Sequence, residues 1–204
     1  MITPDNRIRI VEEKLLSDNW AILKRTTLDY QRSDGSWQTL VRETYDRGNG
    51  ATILLYNRQR QTVILTRQFR YPAYVNGHHG YLIETCGGLL DKDDPETAIR
   101  HEVEQETGYA VKNVQKVLEI FMSPGSVTER VYFFTGEYEA DDRRSEGGGL
   151  FDEGEDIGVL EIPFAQAMAM VENGDIADGK TVILLQYAQI HGLMEQRVLQ
   201  PSSP

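Results

Sequence analysis

With 204 residues the chain is long enough for one domain, or one domain and a small extension, and a core of that size hides roughly 70% of the unfolded surface without needing staples. Acidic side chains outnumber basic ones 32 to 21, and the net charge of −11 argues against a nucleic-acid backbone or an anionic membrane as partner. The single cysteine, Cys86, excludes an internal disulfide and fits a reducing compartment; beside only four histidines it leaves no zinc set of the usual spacing.

No early apolar run has the form of a signal peptide and no stretch approaches a membrane span, so a soluble, cytoplasmic protein is expected. Residues 7–16, RIRIVEEKLL, alternate in the manner of a strand, and Asp18-Asn19 reads as a turn. Residues 20–31 are rich in β-branched and aromatic types, Ser33-Asp34-Gly35-Ser36 is a hairpin signal, and residues 37–45 supply the returning strand. This front third reads as an antiparallel β extension over 1–47, ahead of a main domain over 48–198 and a disordered tail over 199–204. Such a ribbon has few neighbours of its own to bury its apolar face, and packing across a symmetric partner solves that problem, so a homodimer is expected.

Beyond Asp46-Arg47-Gly48-Asn49-Gly50, the runs ATILLYN and QTVILTRQF read as two strands buried on both faces. The second ends in Arg67-Gln68-Phe69-Arg70, where cations emerge as the strand finishes. Asn76-Gly77-His78-His79-Gly80 is a turn by composition, and its histidines are loop residues. Residues 81–86 form a further strand, on which Glu84 can bridge an arginine or assist a metal; Cys86 reads as a small buried hydrophobe.

Residues 87–108, GGLLDKDDPETAIRHEVEQETG, read as a tight loop and then a helix over 95–107. Asp93 or Asp94 can cap the first turn, Pro95 suits the first helical position, and Gly108 marks the stop. At about 100° per residue, Glu102 and Glu106 fall on one side, close to Ile99 and Val103. Two carboxylates four apart repel, more so when partly buried, and a cation is the natural compensation; the alternative is a solvated acidic helix face.

VQKVLEIFM is a strand after Gly108, Ser123-Pro124-Gly125-Ser126 a turn, and Glu129-Arg130 open the strand VYFFTGEY. Residues 140–156, ADDRRSEGGGLFDEGED, have the composition of a flexible loop. The strand GVLEIP follows, then a helix over 163–173 and a last helix over 179–193 that begins beside Lys180. Strands alternating with helices give an α/β (α+β) sandwich, a mixed sheet flanked by helices.

The spacing from Gly87 through Asp93, His101, Glu102 and Glu106 to Gly108 resembles the signature of the Nudix hydrolases, G-x5-E-x7-R-E-U-x-E-E-x-G-U with U apolar. Asp93 stands for the Glu, His101 for the Arg and Gln105 for the first Glu of the pair; Gly88 is an alternative motif glycine. YDRGNGATILLY, RQFR, the glycine-rich loop with EDI, and DGKT extend the similarity over most of residues 8–190.

The resemblance implies the Nudix fold, with Gly87, Glu102, Glu106 and Glu155 holding Mg2+, or Mn2+ as substitute. It implies Glu155, Glu106 and Glu102 as the catalytic set, Glu155 being preferred to Asp152 and Glu153 as the loop acid that activates water. Arg70, Glu129 and Lys180 are the implied substrate-binding residues, to which Arg42 and Trp20 of the extension are added. The implied activity is hydrolysis of a nucleoside diphosphate sugar, GDP-mannose first. ADP-ribose or another ADP-sugar is the alternative, as is a nucleotide-binding Nudix domain weakened by Gln105. The amino-terminal strands resemble those that such enzymes exchange between subunits.

Overall fold

In the computed structural model, residues 6–90 and 93–195 are described. The tail expected over 199–204 lies outside them. The described chain forms two compact units, one of residues 6–49 with 120–131, the other of residues 50–119 with 132–195.

The first unit is built on a three-stranded antiparallel sheet of β1 (Ile8–Asp18), β2 (Ile22–Gln31) and β3 (Trp37–Asp46). The β2–β3 register runs unbroken from Ile22↔Asp46 to Gln31↔Trp37, as the hairpin signal predicts. At the tip Asp34 accepts hydrogen bonds from the Ser36 amide (2.9 Å) and hydroxyl (2.6 Å), which also lowers its pKa. The segment 123–128 joins at Tyr45, whose amide donates to Ser126 O (2.8 Å) and whose carbonyl accepts from the Thr128 amide (3.1 Å). Ile8, Ile10, Val11, Leu15, Trp20, Trp37 and Val41 stay exposed in the single chain.

The second unit carries the main sheet. Its principal order is β10 (Gly158–Pro163), β5 (Thr62–Phe69), β4 (Gly50–Asn57), β9 (Arg130–Glu137) and β8 (Val114–Phe121). Every residue of β4 is buried, as its apolar run predicts. The two halves of β4 pair with different strands: Leu55 to Asn57 face β5, whereas Gly50 to Ile53 face β7 (Cys86–Leu89). β6 (Tyr81–Glu84) continues the pairing on β5. The single strand predicted over 81–86 is therefore two, and at Thr85 the chain passes from one partner to the other.

Four α-helices complete the described chain: α1 (Tyr71–Val75), α2 (Pro95–Glu102), α3 (Phe164–Glu172) and α4 (Gly179–Ile190). α1 has no counterpart in the predicted elements, since five residues are too few for a readable period. Asp94 caps α2, accepting from the Glu96 and Thr97 amides. α2 buries Ile99 among Ile53, Leu55, Cys86, Val103, Phe134 and Tyr138, which fixes the helix against the sheet.

Candidate active site

The helix predicted over 95–107 is α-helical only to Glu102, and a wider π-helical turn covers Val103–Thr107. The Thr107 hydroxyl donates to the Val103 carbonyl, and Gly108 closes the turn in the left-handed conformation. Glu106 sits in this turn with 2% of its surface exposed, which rules out the solvated acidic face. Its Oε2 lies 3.3 Å from the Gly87 amide, a hydrogen bond that ties the π turn to β7.

Burial pushes the Glu106 carboxyl up to about 7, and the charges of Glu102 and Glu155 add to it; hydrogen bonds from Cys86 and the Gly87 amide pull the other way. The Cys86 thiol is raised in turn by burial and by Glu106, so it stays protonated and acts as a donor. Three carboxylates thus share one field. Glu102 is half-buried against Gly88, where a methyl group would overlap its carboxylate. Gln105 and Glu104 are exposed on the outer side. Two departures from the signature face one another: His101 Nδ1 and Asp93 Oδ2 are 3.9 Å apart at the surface.

The segment 140–156, flexible by composition, docks on the end of the helix. Arg144 and Ser145 amides donate to Gly108 O (2.7 and 3.3 Å), Gly148 to Glu106 O (2.9 Å) and Gly149 to Gln105 O (3.1 Å). Carbonyls at a helix end need such donors, and Gly149 provides one where a side chain would overlap the Glu155 carboxylate. Glu155 is half-buried, its Oε2 accepting from the Leu150 amide at 2.8 Å. Asp152 is exposed, and the Glu153 side chain lies outside what is described.

On the strand side, Glu84 is buried between two cations. Its Oε2 accepts from Arg70 Nε (2.7 Å) and its Oε1 from Lys180 Nζ (3.5 Å), while Lys180 also reaches Asp178 (2.7 Å). Arg70 keeps 41% of its side chain exposed, so its guanidinium still presents donors to solvent. Of the two roles read for Glu84, the geometry supports the bridge to an arginine.

Trp20, Arg42 and Glu129 belong to the first unit. Trp20 is 70% exposed, and Arg42 lines a cavity of about 660 Å³ with Phe121 and residues 124–128, a volume suited to a small molecule. Glu129 is buried and paired with Arg47 at 2.6 Å.

The donor set around Glu106 is chemically suited to a hard divalent cation. Glu102 and Glu106 offer carboxylate oxygens beside the Gly87 backbone, and a buried carboxyl raised to about 7 gains most from a cation. Among the described residues no three carboxylate, imidazole or thiol side chains close on one point; Glu155 is turned to its own loop. Two carboxylates and a backbone oxygen are enough for Mg2+, which retains several waters.

Residues 46–184 match the family model described as the NUDIX domain. The chain belongs to the Nudix hydrolase family. Residues 7–45 of this Nudix protein match a second model, the GDP-mannose pyrophosphatase NudK N-terminal domain. Similar proteins named GDP-mannose pyrophosphatase occur in Klebsiella pneumoniae subsp. pneumoniae (57% identical, covering 92% of this chain and 94% of that protein) and Enterobacter sp. (57%, 92% and 98%). The one from Escherichia coli O1:K1 is 54% identical over 93% of this chain and 98% of its own. A crystal structure of an ADP compounds hydrolase aligns with a TM-score of 0.67, covering 94% of this chain and 99% of that one; at 17% identity it shows the shared fold alone.

The Nudix signature made Glu102, Glu106 and Gly87 legible. It gave no sign of Thr181, whose hydroxyl accepts from the Thr85 amide at 2.7 Å and donates to Asp178 at 2.8 Å, so anchoring Lys180 beside Glu84. Only the local cap, Asp178 before Gly179-Lys180-Thr181, could have been read from sequence.

Proposed function

We propose that this chain hydrolyses the diphosphate of a nucleoside diphosphate sugar, GDP-mannose, to GMP and mannose 1-phosphate. The observation that carries the chemistry is the buried Glu106 carboxyl, held by the Gly87 amide within the field of Glu102 and Glu155. The nucleotide sugar is inferred from relatives more than 50% identical over nearly their whole length that bear the name GDP-mannose pyrophosphatase.

Glu102, Glu106 and the Gly87 carbonyl would hold Mg2+, with Mn2+ as substitute and Glu155 as a further ligand or neighbour. Bound there, the ion neutralises diphosphate charge and polarises the phosphoryl oxygens. Glu155 orients the attacking water and takes its proton. Arg70 and Lys180 bind phosphate oxygens from either side of Glu84, which sets their spacing. Trp20, Arg42 and Glu129 serve the nucleoside-sugar ends; of the three, Arg42 lines the cavity.

The β extension over 1–47 dimerises through its exposed apolar side chains, and the domain over 48–198 carries the chemistry. No helix among the described residues is long and apolar enough to cross a membrane. The cytoplasm as site of action is inferred from the single cysteine, which suits a reducing compartment. A panel of nucleotide sugars, read as phosphate released by a coupled phosphatase, tests the reading. GDP-mannose should be turned over fastest. A preference for ADP-ribose would reassign the base, and tight binding without turnover in either Mg2+ or Mn2+ would leave a nucleotide-binding domain weakened at Gln105.

A further inference from the structure

The carbonyls of Gln105 and Glu106 accept from the Gly149 and Gly148 amides, and the next amide in the chain, Leu150, donates to the Glu155 carboxylate. Three consecutive N–H groups therefore run from the turn that carries one carboxylate to the side chain of the other. The far side of this arch is closed as well: Ile157 N donates to Gly148 O (3.2 Å) and Glu155 N to Leu150 O (3.3 Å). Gly147, which begins the arch, has φ of +70°, and a methyl group there would overlap the Glu106 carbonyl oxygen.

We infer that the Gly147–Leu150 arch is a positioning element, which sets the separation of Glu106 and Glu155 and so couples cation binding to activation of water. The inference rests on the roles given above to those two carboxylates. None of the arch residues is required to touch substrate. A shift of the arch moves Glu155 by way of the Leu150 amide and tilts the π turn by way of the Gln105 and Glu106 carbonyls, so both partners of the reaction lose register together.

A double-substitution cycle between Gly147→Ala and Glu155→Gln tests this, with Mg2+ affinity measured separately by calorimetry. Gly147→Ala should lower kcat by roughly tenfold or more, as small misplacements of reacting groups do, with KM nearly unchanged and Mg2+ bound several-fold more weakly. In the Glu155→Gln background the same change should cost little more. Gly174→Ala is the control for backbone strain, since Gly174 has φ of +87° with nothing within 4 Å; it should lower Tm and leave kcat and Mg2+ affinity alone.

Effects that multiply across the cycle, or a Gly147→Ala protein that differs from the parent only in Tm, overturn the inference. If Gly147→Ala does not fold, Gly148→Ala, which adds strain at φ of +111° without overlap, replaces it under the same criteria. The reading of Glu155 as the water-activating group fails separately, by parental turnover in Glu155→Gln alone. The Mg2+ titration then still decides whether the arch places Glu106: unchanged affinity in Gly147→Ala would overturn that as well.

Discussion

The backbone amide of Thr85 donates to the side-chain oxygen of Thr181, 2.7 Å away and 96 residues later in the chain. Thr85 is where the chain leaves β5 for β4, and its N–H would otherwise be buried without a partner. Thr181 passes the link on to Asp178, the cap of α4, so the strand that carries Glu84 and the helix turn that carries Lys180 are joined. Replacing Thr181 by Val should cost about 1–3 kcal/mol through the orphaned amide, a fall of several degrees in Tm. Thr181→Ser should keep most of the stability. A thermal melt followed by circular dichroism distinguishes the two.

Glu84 holds Arg70 and Lys180 from a buried position. Glu84→Gln removes the charge and keeps the shape, so the two cations should lose their common spacing while the fold survives. The expected result is a KM for the nucleotide sugar raised by roughly tenfold with a smaller change in kcat, the signature of lost ground-state binding. If kcat falls and KM does not, Glu84 acts on the reacting atoms and not through the cations.

The helix that carries the acids was legible in sequence because its cap, Pro95 and the Ile99–Val103 line all agree. Its last turn was not, since nothing local separates an α turn from a π turn when the deciding contacts come from Gly87 and from residues 144–149. Where the loop over 140–156 docks was not legible for the same reason. Its glycines signal freedom in an isolated chain, whereas here Gly147 permits close approach to the Glu106 carbonyl. Strand β4 reads well because burial on both faces writes itself into composition, whereas β5 is buried on both faces only over Val63–Thr66 and opens from Arg67 on; the split at Thr85 depends on a helix nearly a hundred residues away.

Gln105 stands where the family signature has a carboxylate, and its side chain is exposed beside the acidic turn. Gln105→Glu adds a negative charge there, which should tighten the divalent ion by about two- to tenfold, since site affinity follows the count of charged ligands. Half-saturating Mg2+ in the hydrolysis assay, and calorimetric titration without substrate, should both move in that direction. An unchanged value would show that this position does not reach the ion.

Ile10 is 59% exposed in the single chain and lies on β1 among Ile8, Val11 and Leu15, all similarly open. Ile10→Asp should leave the stability of an isolated chain within about 0.5 kcal/mol, as exposed substitutions do, but places a charge in any interface formed through this sheet. Sedimentation velocity at micromolar concentration should then show a dimer for the parent and a larger monomer fraction for the variant. A parent that sediments as a monomer at all accessible concentrations refutes the proposed assembly.

Glu106 makes stability depend on pH with a definite sign. Its carboxyl is raised from an ordinary 4.5 to about 7 in the fold, so between those values the folded chain binds a proton that the unfolded chain has already released. The group's contribution is complete below about 4.5 and is lost as pH rises through 7, a change on the order of 3 kcal/mol. Without divalent ions, the parent should therefore lose stability between pH 5 and 8 relative to Glu106→Gln, which has no proton to release. Mg2+ favours the charged carboxylate and should restore the parent at pH 8 while leaving the variant nearly unmoved. Denaturant titrations of both proteins at pH 5 and pH 8, each with and without Mg2+, measure the difference; parallel pH profiles for parent and variant in the absence of metal would show that Glu106 titrates as an ordinary surface acid.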